Sequence, residues 1–328
     1  KIKTANIGLD FGLFNRIDVN LDVYQKTSSA LLFQKPLPAT SGYSYVFENV
    51  GSIRNRGIEI NVTSKNLVGA FKWETNFNIA FNRNKVISLE AGESVVSPGA
   101  AHPIAVGHDM NDWYLPIWAG VNPTNGDPQW QKLVTDASGK TTTVLTNSYT
   151  EAAASKQYTG TSASPKFTGG ITNTFSYDRF SLSTFFNFVY GNKVYNDSRF
   201  YFDNDGLYES YNAMVPANGW TRWQKPGDIA TEPKAVLGGN HDSNSQSSRY
   251  LENGSYLRLR NVTLGYQLPQ SFLNNIKVRS ARVFISGDNL VAFTKFSGVD
   301  PEVDLASGTS SFKYPISRKL LFGINVGF

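Results

Sequence analysis

The sequence predicts an all-β protein, and specifically a transmembrane antiparallel up-and-down β-barrel. Three observations predict it: apolar residues alternate with polar or small ones over long runs, short and long connections alternate, and aromatic residues stand at strand ends. Composition agrees, because 13% of the 328 residues are aromatic and only 17% are charged. Membrane strands need about 9–11 residues and globular strands usually about five or six, so runs of this length favour a membrane barrel.

Alternation with a period of two predicts eleven strands. In the first strand, Ile7, Leu9, Phe11 and Leu13 point to one side, and the residues between them point to the other. The runs at 104–118 and 129–135 carry the weakest pattern, and phase slips in two later strands indicate bulges. The predicted strands are residues 6–14, 17–24, 56–64, 71–82, 104–118, 129–135, 166–177, 180–190, 256–266, 279–294 and 320–328.

The connections between these strands alternate in length, which is typical of a barrel whose two ends differ. The long connections are rich in Gly, Pro, Asn and Ser and predict extracellular loops, whereas the short ones predict periplasmic turns. The short connections are residues 15–16, 65–70, 178–179 and 268–278, and the main long ones are 26–50, 88–103, 191–254 and 295–319.

A soluble carbohydrate-binding β-sandwich is an alternative, because its buried inner face also produces alternation. The aromatic residues at strand ends favour the membrane barrel, since interfacial girdles lie there. Open strand edges are not tolerated in hydrocarbon, so the apolar last strand is predicted to be a lipid-facing part of a closed wall. The strand-end aromatics are Phe14, Tyr24, Tyr177, Phe180, Tyr190, Tyr266 and Phe328.

Several other classes of function are disfavoured by composition. No stretch approaches 18 apolar residues, which argues against a transmembrane helix, and no Lys/Arg run marks a nucleic-acid surface despite the net charge of +5. The chain has no cysteine, hence no disulfide or thiolate site. A Gly-x-Ser-x-Gly motif is also missing, so an enzyme is not predicted.

Seven motifs, in order and rough spacing, resemble the C-terminal barrel of SusC/RagA-like TonB-dependent outer-membrane transporters. The resemblance spans nearly the whole chain, and the terminal GINVGF also resembles the signal that barrel-assembly machinery reads, with Phe322, Ile324, Val326 and Phe328 as its apolar residues. The motifs are NRGIEI, WETNFNIAFNRNKVISL, VNPTNGDPQW, PKFTGGITNTFSY, RWQKPGD, YLRLRNVTLGYQLP and VFISGDNLVAFTKFSGVDPEV.

The resemblance implies that residues 1–328 supply about 11 of 22 barrel strands, without the plug and the N-terminal strands. It implies import of glycans or peptides under a SusD-like lipoprotein lid, in the outer membrane of a Gram-negative, Bacteroidota-like cell. We therefore expect a companion polypeptide that carries the plug, the remaining strands and the contact with the TonB complex, and outer-membrane lipid around the wall. A non-transport barrel, such as a scaffold or an adhesin, is the alternative.

Aromatic residues in the long loops are the predicted contacts for substrate or lid, because sugars and peptides dock on aromatic faces. The competing interpretation is that these rings pack the loops against one another. No cofactor and no catalytic residue are predicted, and Asp203 and Asp205 form only a weak calcium candidate because the register of an EF-hand is missing. The predicted contact residues are Trp113, Tyr114, Trp118, Tyr201, Tyr208, Tyr211, Trp220 and Trp223.

Overall fold

Nine long antiparallel strands form one continuous sheet in the computed structural model of the chain. The structure describes residues 1–89, 95–96, 100–211, 215, 219–275, 277–304 and 307–328. Every strand of this sheet pairs with its neighbours along the chain, so the topology is an up-and-down meander. The strands are β1 (Ile2–Leu13), β2 (Ile17–Pro36), β3 (Tyr45–Val68), β4 (Phe71–Ser88), β5 (Phe167–Tyr177), β6 (Phe180–Tyr190), β7 (Tyr256–Gln267), β8 (Ser280–Thr294) and β9 (Lys319–Gly327).

The sheet has one apolar and one polar face, as the alternation predicts. Leu9 pairs with Leu21 and Phe11 with Val19 on what we call the outer face, where Leu9 and Phe11 are exposed and their partners are half-buried. On the opposite, inner face, amide and carboxylate side chains bond from strand to strand. Asn20 donates to Asp10 at 2.7 Å, and Asn76 donates to Thr63 at 2.9 Å. Side chains of the polar inner face therefore bond to one another, while the apolar outer face has no cover within the described chain.

Aromatic rings pack against one another across the outer face of the central strands. Phe167 stacks on Tyr190 with ring centroids 4.9 Å apart, and Phe77 lies 6.3 Å from Phe188. Aromatic neighbours on adjacent strands stabilise a sheet. The two phase slips are confirmed as bulges: the register shifts between Leu259 and Asn261, on both sides of β7.

Two predicted wall strands are wrong. Residues 104–118 and 129–135 form only short strands, and these belong to small sheets that are separate from the nine-stranded sheet. Their residues alternate because one side is buried among loops, as Trp113, Leu115 and Trp130 are. The boundaries of the first long connection are also wrong: β2 and β3 continue their pairing up to Pro36 opposite Tyr45, so much of residues 26–50 is strand.

The long connections all lie at one end of the sheet, the loop end, and the short turns lie at the other, the turn end. No helix in the described residues is long and apolar enough to cross a membrane. The further short strands are Val95–Val96, Ile104–Ala105, Asp112–Leu115, Trp118–Val121, Pro128–Thr135, Thr141–Thr146, Gln157–Ser162, Lys193–Asn196, Leu251–Asn253 and Thr309–Ser310. The helices are α1 (Tyr149–Ala154), α2 (Ser198–Phe202) and α3 (Gln270–Asn275), with 3-10 turns at Ala39–Ser41 and Ser248–Tyr250.

Both edges of the nine-stranded sheet are open within the described residues. β1 pairs with β2 alone, and β9 pairs with β8 alone. An open edge presents a row of backbone donors and acceptors that fit a further strand. The sheet can therefore be extended on both sides.

Candidate functional site

The long connections at the loop end pack around their own buried core. Trp113, Leu115, Tyr195 and Tyr250 form its centre and are nearly inaccessible to solvent. The indole Nε1 of Trp113 donates to the backbone oxygen of Lys193 at 3.1 Å, which joins two distant connections. Trp113, a predicted contact residue, is only 2% exposed, and this position favours loop packing over ligand contact.

Beside this core lies a buried set of charges, which we call the arginine–carboxylate cluster. Arg249 bonds Asp205 at 2.7 Å and Asp203 at 3.3 Å, and it also contacts Glu232. Arg199 lies 2.7 Å from Asp203 and 3.3 Å from Glu232. Two partners complete the cluster at its margin: Arg222 bonds Asp205 at 2.6 Å, and Glu252 lies 3.3 Å from Arg199.

The cluster leaves little room for a metal ion. Asp203, Asp205 and Glu232 have ligand atoms within 4.8 Å of one another, as a cation site would require. Each of their six carboxylate oxygens, however, is already paired with a guanidinium nitrogen. The arrangement supports a charge-paired structural role for Asp203 and Asp205, the weak calcium candidates, because arginine takes the oxygens that calcium would need.

Two further predicted contact residues pack on these arginines. The guanidinium carbon of Arg199 lies 4.1 Å from the ring centre of Trp220, and that of Arg249 lies 5.0 Å from the ring centre of Trp118. Cation–π contacts of this kind hold a planar cation over an aromatic face. Trp118 and Trp220 therefore help to order the loops around the buried charges.

The arginine–carboxylate cluster has more carboxylates than arginines, so one carboxylate is expected to hold a proton. Three arginines face four carboxylates. Burial raises the pKa of Glu232 to about 7, with the charge of Asp203 adding to the effect and that of Arg249 opposing it. Burial alone would also raise the pKa of Asp203, but Arg249 and Arg199 outweigh it and hold that pKa below its ordinary value. Glu232 is thus the carboxylate that takes the proton.

We expect the loop core to lose protection from hydrogen exchange as pH rises through the range in which Glu232 loses its proton. The unfolded chain releases this proton near 4.5 and the folded chain near 7, so stability falls as pH rises between those values. Hydrogen exchange of residues 248–250, corrected for intrinsic rates, should show less protection at pH 8 than at pH 5.5. Glu232→Gln should flatten this dependence and Glu209→Gln, at an exposed site, should not. A wild-type profile that is flat or rises with pH would contradict the assignment.

A partly exposed aromatic group lies on α2 and the segment that follows it, and we call it the tyrosine cluster. Tyr201, Tyr208 and Tyr211 lie with ring centroids 5.0–6.3 Å apart, and Phe312 lies 5.3 Å from Tyr201. Tyr211 is 49% and Phe312 is 59% exposed. Next to it is a largely apolar pocket of about 440 Å³, lined in part by Phe202, Phe312 and Tyr314. Of the predicted contact residues, Tyr201, Tyr208 and Tyr211 are thus the ones that lie at an accessible surface.

The last two predicted contact residues lie apart from the tyrosine cluster. The Tyr114 ring lies 5.0 Å from that of Tyr158. Trp223 donates from Nε1 to the backbone oxygen of Pro123 at 3.1 Å and covers Gly126. Gly126 has φ +76°, and a Cβ there would lie 2.5 Å from the indole, so only glycine fits this turn. The structure therefore divides the eight predicted aromatics between loop packing and an exposed cluster.

Sequence reasoning missed a second, polar pocket, which lies at the loop end between the ends of β4 and β6 and the long connections. Its volume is about 490 Å³, and its lining includes Arg83, Asp109, Ser164, Lys166 and Lys193. Burial raises the pKa of Asp109, while bonds from Asn111 and Ser164 oppose the rise. The lining residues come from five separate segments of the sequence, so no local motif marks them. Hydroxyl, amide and charged groups of both signs can bind a polar polymer such as a glycan or a peptide.

The last long connection is fastened to the inner wall by ion pairs. Arg260 on β7 bonds Glu302 at 2.7 Å, and Arg258 contacts Asp300. Both acidic residues belong to the SGVDPEV stretch of the loop between β8 and β9. Arg258 and Arg260 therefore hold a loop against the wall.

Comparison with known proteins identifies relatives over the whole chain. No protein-family model matches it. The chain is 29% identical over 352 residues to TonB-dependent receptor P3 of Formosa agariphila, covering 99% of this chain and 34% of that protein. It is 27% identical over 350 residues to the TonB-dependent receptor SusC of Bacteroides thetaiotaomicron, covering 100% and 32%. The chain thus spans about a third of the length of these relatives.

A solved structure extends this similarity to the fold. The structure of the RagAB peptide transporter matches with a TM-score of 0.85 and 27% identity, over 100% of this chain and 35% of that one. The same transporter in its open-open state matches with a TM-score of 0.78. The nine-stranded sheet is therefore part of the wall of a transmembrane antiparallel β-barrel, and the resemblance to SusC and RagA seen in the motifs is confirmed.

Proposed function

We propose that this chain forms the last part of the barrel wall and the substrate-facing loops of a TonB-dependent importer in the outer membrane. The observation that carries the proposal is the match over the whole of this chain to receptors named for TonB dependence, in sequence, and to a peptide transporter, in fold. The open edges of β1 and β9 are the places where the remaining strands join. Those strands, the plug and the contact with TonB belong to protein outside residues 1–328, as a continuous or a companion chain.

The proposed cargo is a glycan or a peptide, captured at the loop end beneath a SusD-like lipoprotein lid. The tyrosine cluster and its apolar pocket offer ring faces for lid or substrate, and the polar pocket offers hydrogen-bonding groups. The buried arginine–carboxylate cluster keeps these surfaces in place. The chain supplies wall and binding surface, and its proposed role includes no chemical step. In the proposed orientation, the loop end lies outside the cell and the turn end lies in the periplasm.

The proposal is tested by isolating the complex from outer membranes in detergent and measuring import in the same cells. We expect this chain to co-purify with a plug-bearing polypeptide and a lipoprotein, and we expect its deletion to abolish growth on one class of polymer, glycan or peptide. Uptake of that polymer should also stop when TonB is removed. A barrel without a plug-bearing polypeptide would instead support a scaffold or an adhesin.

The tyrosine cluster gives a residue-level prediction. Tyr201→Ala, Tyr208→Ala and Tyr211→Ala together should weaken binding of the lipoprotein or the polymer about tenfold or more, since each truncated ring removes a large stacking surface. The measurement is titration of the purified complex with each binding partner in turn. Tyr43→Ala, which removes another exposed loop ring, is the control. Unchanged affinity for both partners would reject this role.

We also propose that Phe322, Ile324, Val326 and Phe328 act as the assembly signal of the barrel. The first three lie on one face of β9 and Phe328 follows its last residue, and their exposed fractions range from 43% to 91%. Exposure of the stripe leaves it available to assembly machinery before the barrel closes.

A further inference from the structure

We propose that the outer face carries a binding site for a phosphate-bearing lipid, formed by a patch of four basic residues at the loop end. The patch, which we call the rim patch, consists of Arg54 and Arg56 on β3 and Arg83 and Lys85 on β4. The inference rests on the proposed membrane position of the wall and adds to it a specific lipid. The lipid is identified by its chemistry: a phosphorylated headgroup attached to acyl chains, in the leaflet that the loop end meets.

Pairing in the sheet shows that the rim patch faces outward. Ile58 lies opposite Phe81, and both belong to the apolar outer face. Two residues further along each strand, Arg56 lies opposite Arg83, and two further still, Arg54 lies opposite Lys85. The register is regular over these rows, and side chains two apart share a face. The four cations therefore continue the apolar outer stripe toward the loop end.

This arrangement is unfavourable unless an anion is present. Side chains directly opposite each other on antiparallel strands lie about 4.5–5.5 Å apart at Cβ, and like charges in that position destabilise the pair. Two such rows stand side by side. In the described residues no carboxylate forms an ion pair with any of the four. Arg83 donates only to backbone oxygens, those of Asn82, Lys166 and Pro165 at 3.0–3.5 Å. A phosphate group between the rows would neutralise them and accept from several guanidinium donors.

The surface next to the patch fits an acyl chain. A pocket of about 290 Å³ lies on the outer face, with Val23, Ile58 and Phe81 contributing apolar surface and Arg56 and Arg83 contributing charge. Cationic and apolar lining thus meet in one recess. A lipid has the same division, with its phosphate at the membrane surface and its chains below. A free anion would use only the charged part of the recess.

The position along the wall is the third argument. The turn end of the outer face carries aromatic residues such as Phe71, Tyr177 and Phe180, and no comparable group of paired cations occurs there among the described residues. Aromatic girdles lie at both interfaces of a membrane barrel, whereas paired cations are no part of such a girdle. The rim patch is thus specific to one leaflet.

The test uses the complete barrel complex, purified in detergent, stripped of lipid and titrated with defined probes by native mass spectrometry. We expect diphosphoryl lipid A to bind at least about tenfold more tightly than the same lipid without phosphates, because charge-assisted bonds to phosphate are lost. Millimolar inorganic phosphate should not displace it. The variant Arg54→Gln/Arg56→Gln/Arg83→Gln/Lys85→Gln should lose this preference, and Arg54→Lys/Arg56→Lys/Arg83→Lys should keep part of it.

A matched control removes four charges from the inner face and should leave lipid binding unchanged: Lys26→Gln/Lys65→Gln/Lys72→Gln/Lys319→Gln. Equal binding by wild type and the rim variant, or displacement by inorganic phosphate, would overturn the lipid site. Heat-modified gel mobility of the same samples shows whether the barrel has folded, and so separates a failure of the lipid site from a failure of the proposed function. A barrel that inserts and imports but shows no phosphate preference overturns the lipid site alone, whereas a chain that never enters a membrane overturns both.

Discussion

Arg249→Met should destabilise the loop layer by about 3–5 kcal/mol, which is the usual effect of removing one partner from a buried ion pair. Arg249 is 7% exposed and is shared by Asp203, Asp205 and Glu232. Without it, Arg199 and Arg222 alone would face the carboxylates. Taking an uncompensated carboxylate out of water is the dominant unfavourable term, so the loops should open even though the wall stays intact.

The measurement is the opening free energy of residues 248–250 from hydrogen exchange, together with cleavage of the loops by a protease. The matched control is Arg222→Met, because Arg222 bonds the same Asp205 but its side chain is 30% exposed. We expect that control to lose only about 1–2 kcal/mol, since water can replace the arginine. Adding Glu232→Gln to Arg249→Met should recover part of the loss, because it removes one unpaired charge. Equal effects of the two arginine variants would show that the cluster does not hold the loops.

The wall was predictable because its signal is local and repeated. Each strand from Ile7 to Val326 carries its facing in its own alternation, and a membrane wall needs no distant partner to define which side is apolar. Arg54 and Arg56 continue the phase of Ile58, so their outward facing follows from the alternation of their own strand. Pairing with Arg83 and Lys85 required the register, which no single strand contains.

The loop layer was not predictable to the same extent, because its order depends on contacts between distant segments. Trp113 packs beside Tyr195, and Arg199 reaches Glu232 and Glu252. Nothing in the spacing of these residues sets their burial. Residues 104–118 show the consequence: the alternation of a strand half-buried under loops matches that of a wall strand, and only tertiary pairing separates them. The division of the loop aromatics between packing and exposure has the same origin.

The second prediction with a large effect on stability concerns the direction in which the side chains of β9 point. Ile324 is 60% exposed on the outer face near the middle of β9, and it pairs with Val283 on β8. Ile324→Arg places a charge in hydrocarbon and should destabilise the barrel by about 2–4 kcal/mol. Asn325 lies on the inner face opposite Arg282, so Asn325→Arg meets water and one like charge and should destabilise by less than about 1 kcal/mol.

The measurement is urea unfolding of the full barrel in phosphatidylcholine vesicles, with heat-modified gel mobility as a second readout. Refolding without cellular machinery separates wall stability from the proposed assembly signal, to which Ile324 also belongs. Leu9→Arg provides a further comparison, because Leu9 is an outer-face residue of β1 with 54% exposure and lies far from the terminal stripe. If Leu9→Arg and Ile324→Arg lower the free energy of unfolding by similar amounts and Asn325→Arg lowers it little, the position of the charge in the bilayer explains the loss of stability. If Asn325→Arg is as harmful as Ile324→Arg, the assigned facing of β9 is wrong.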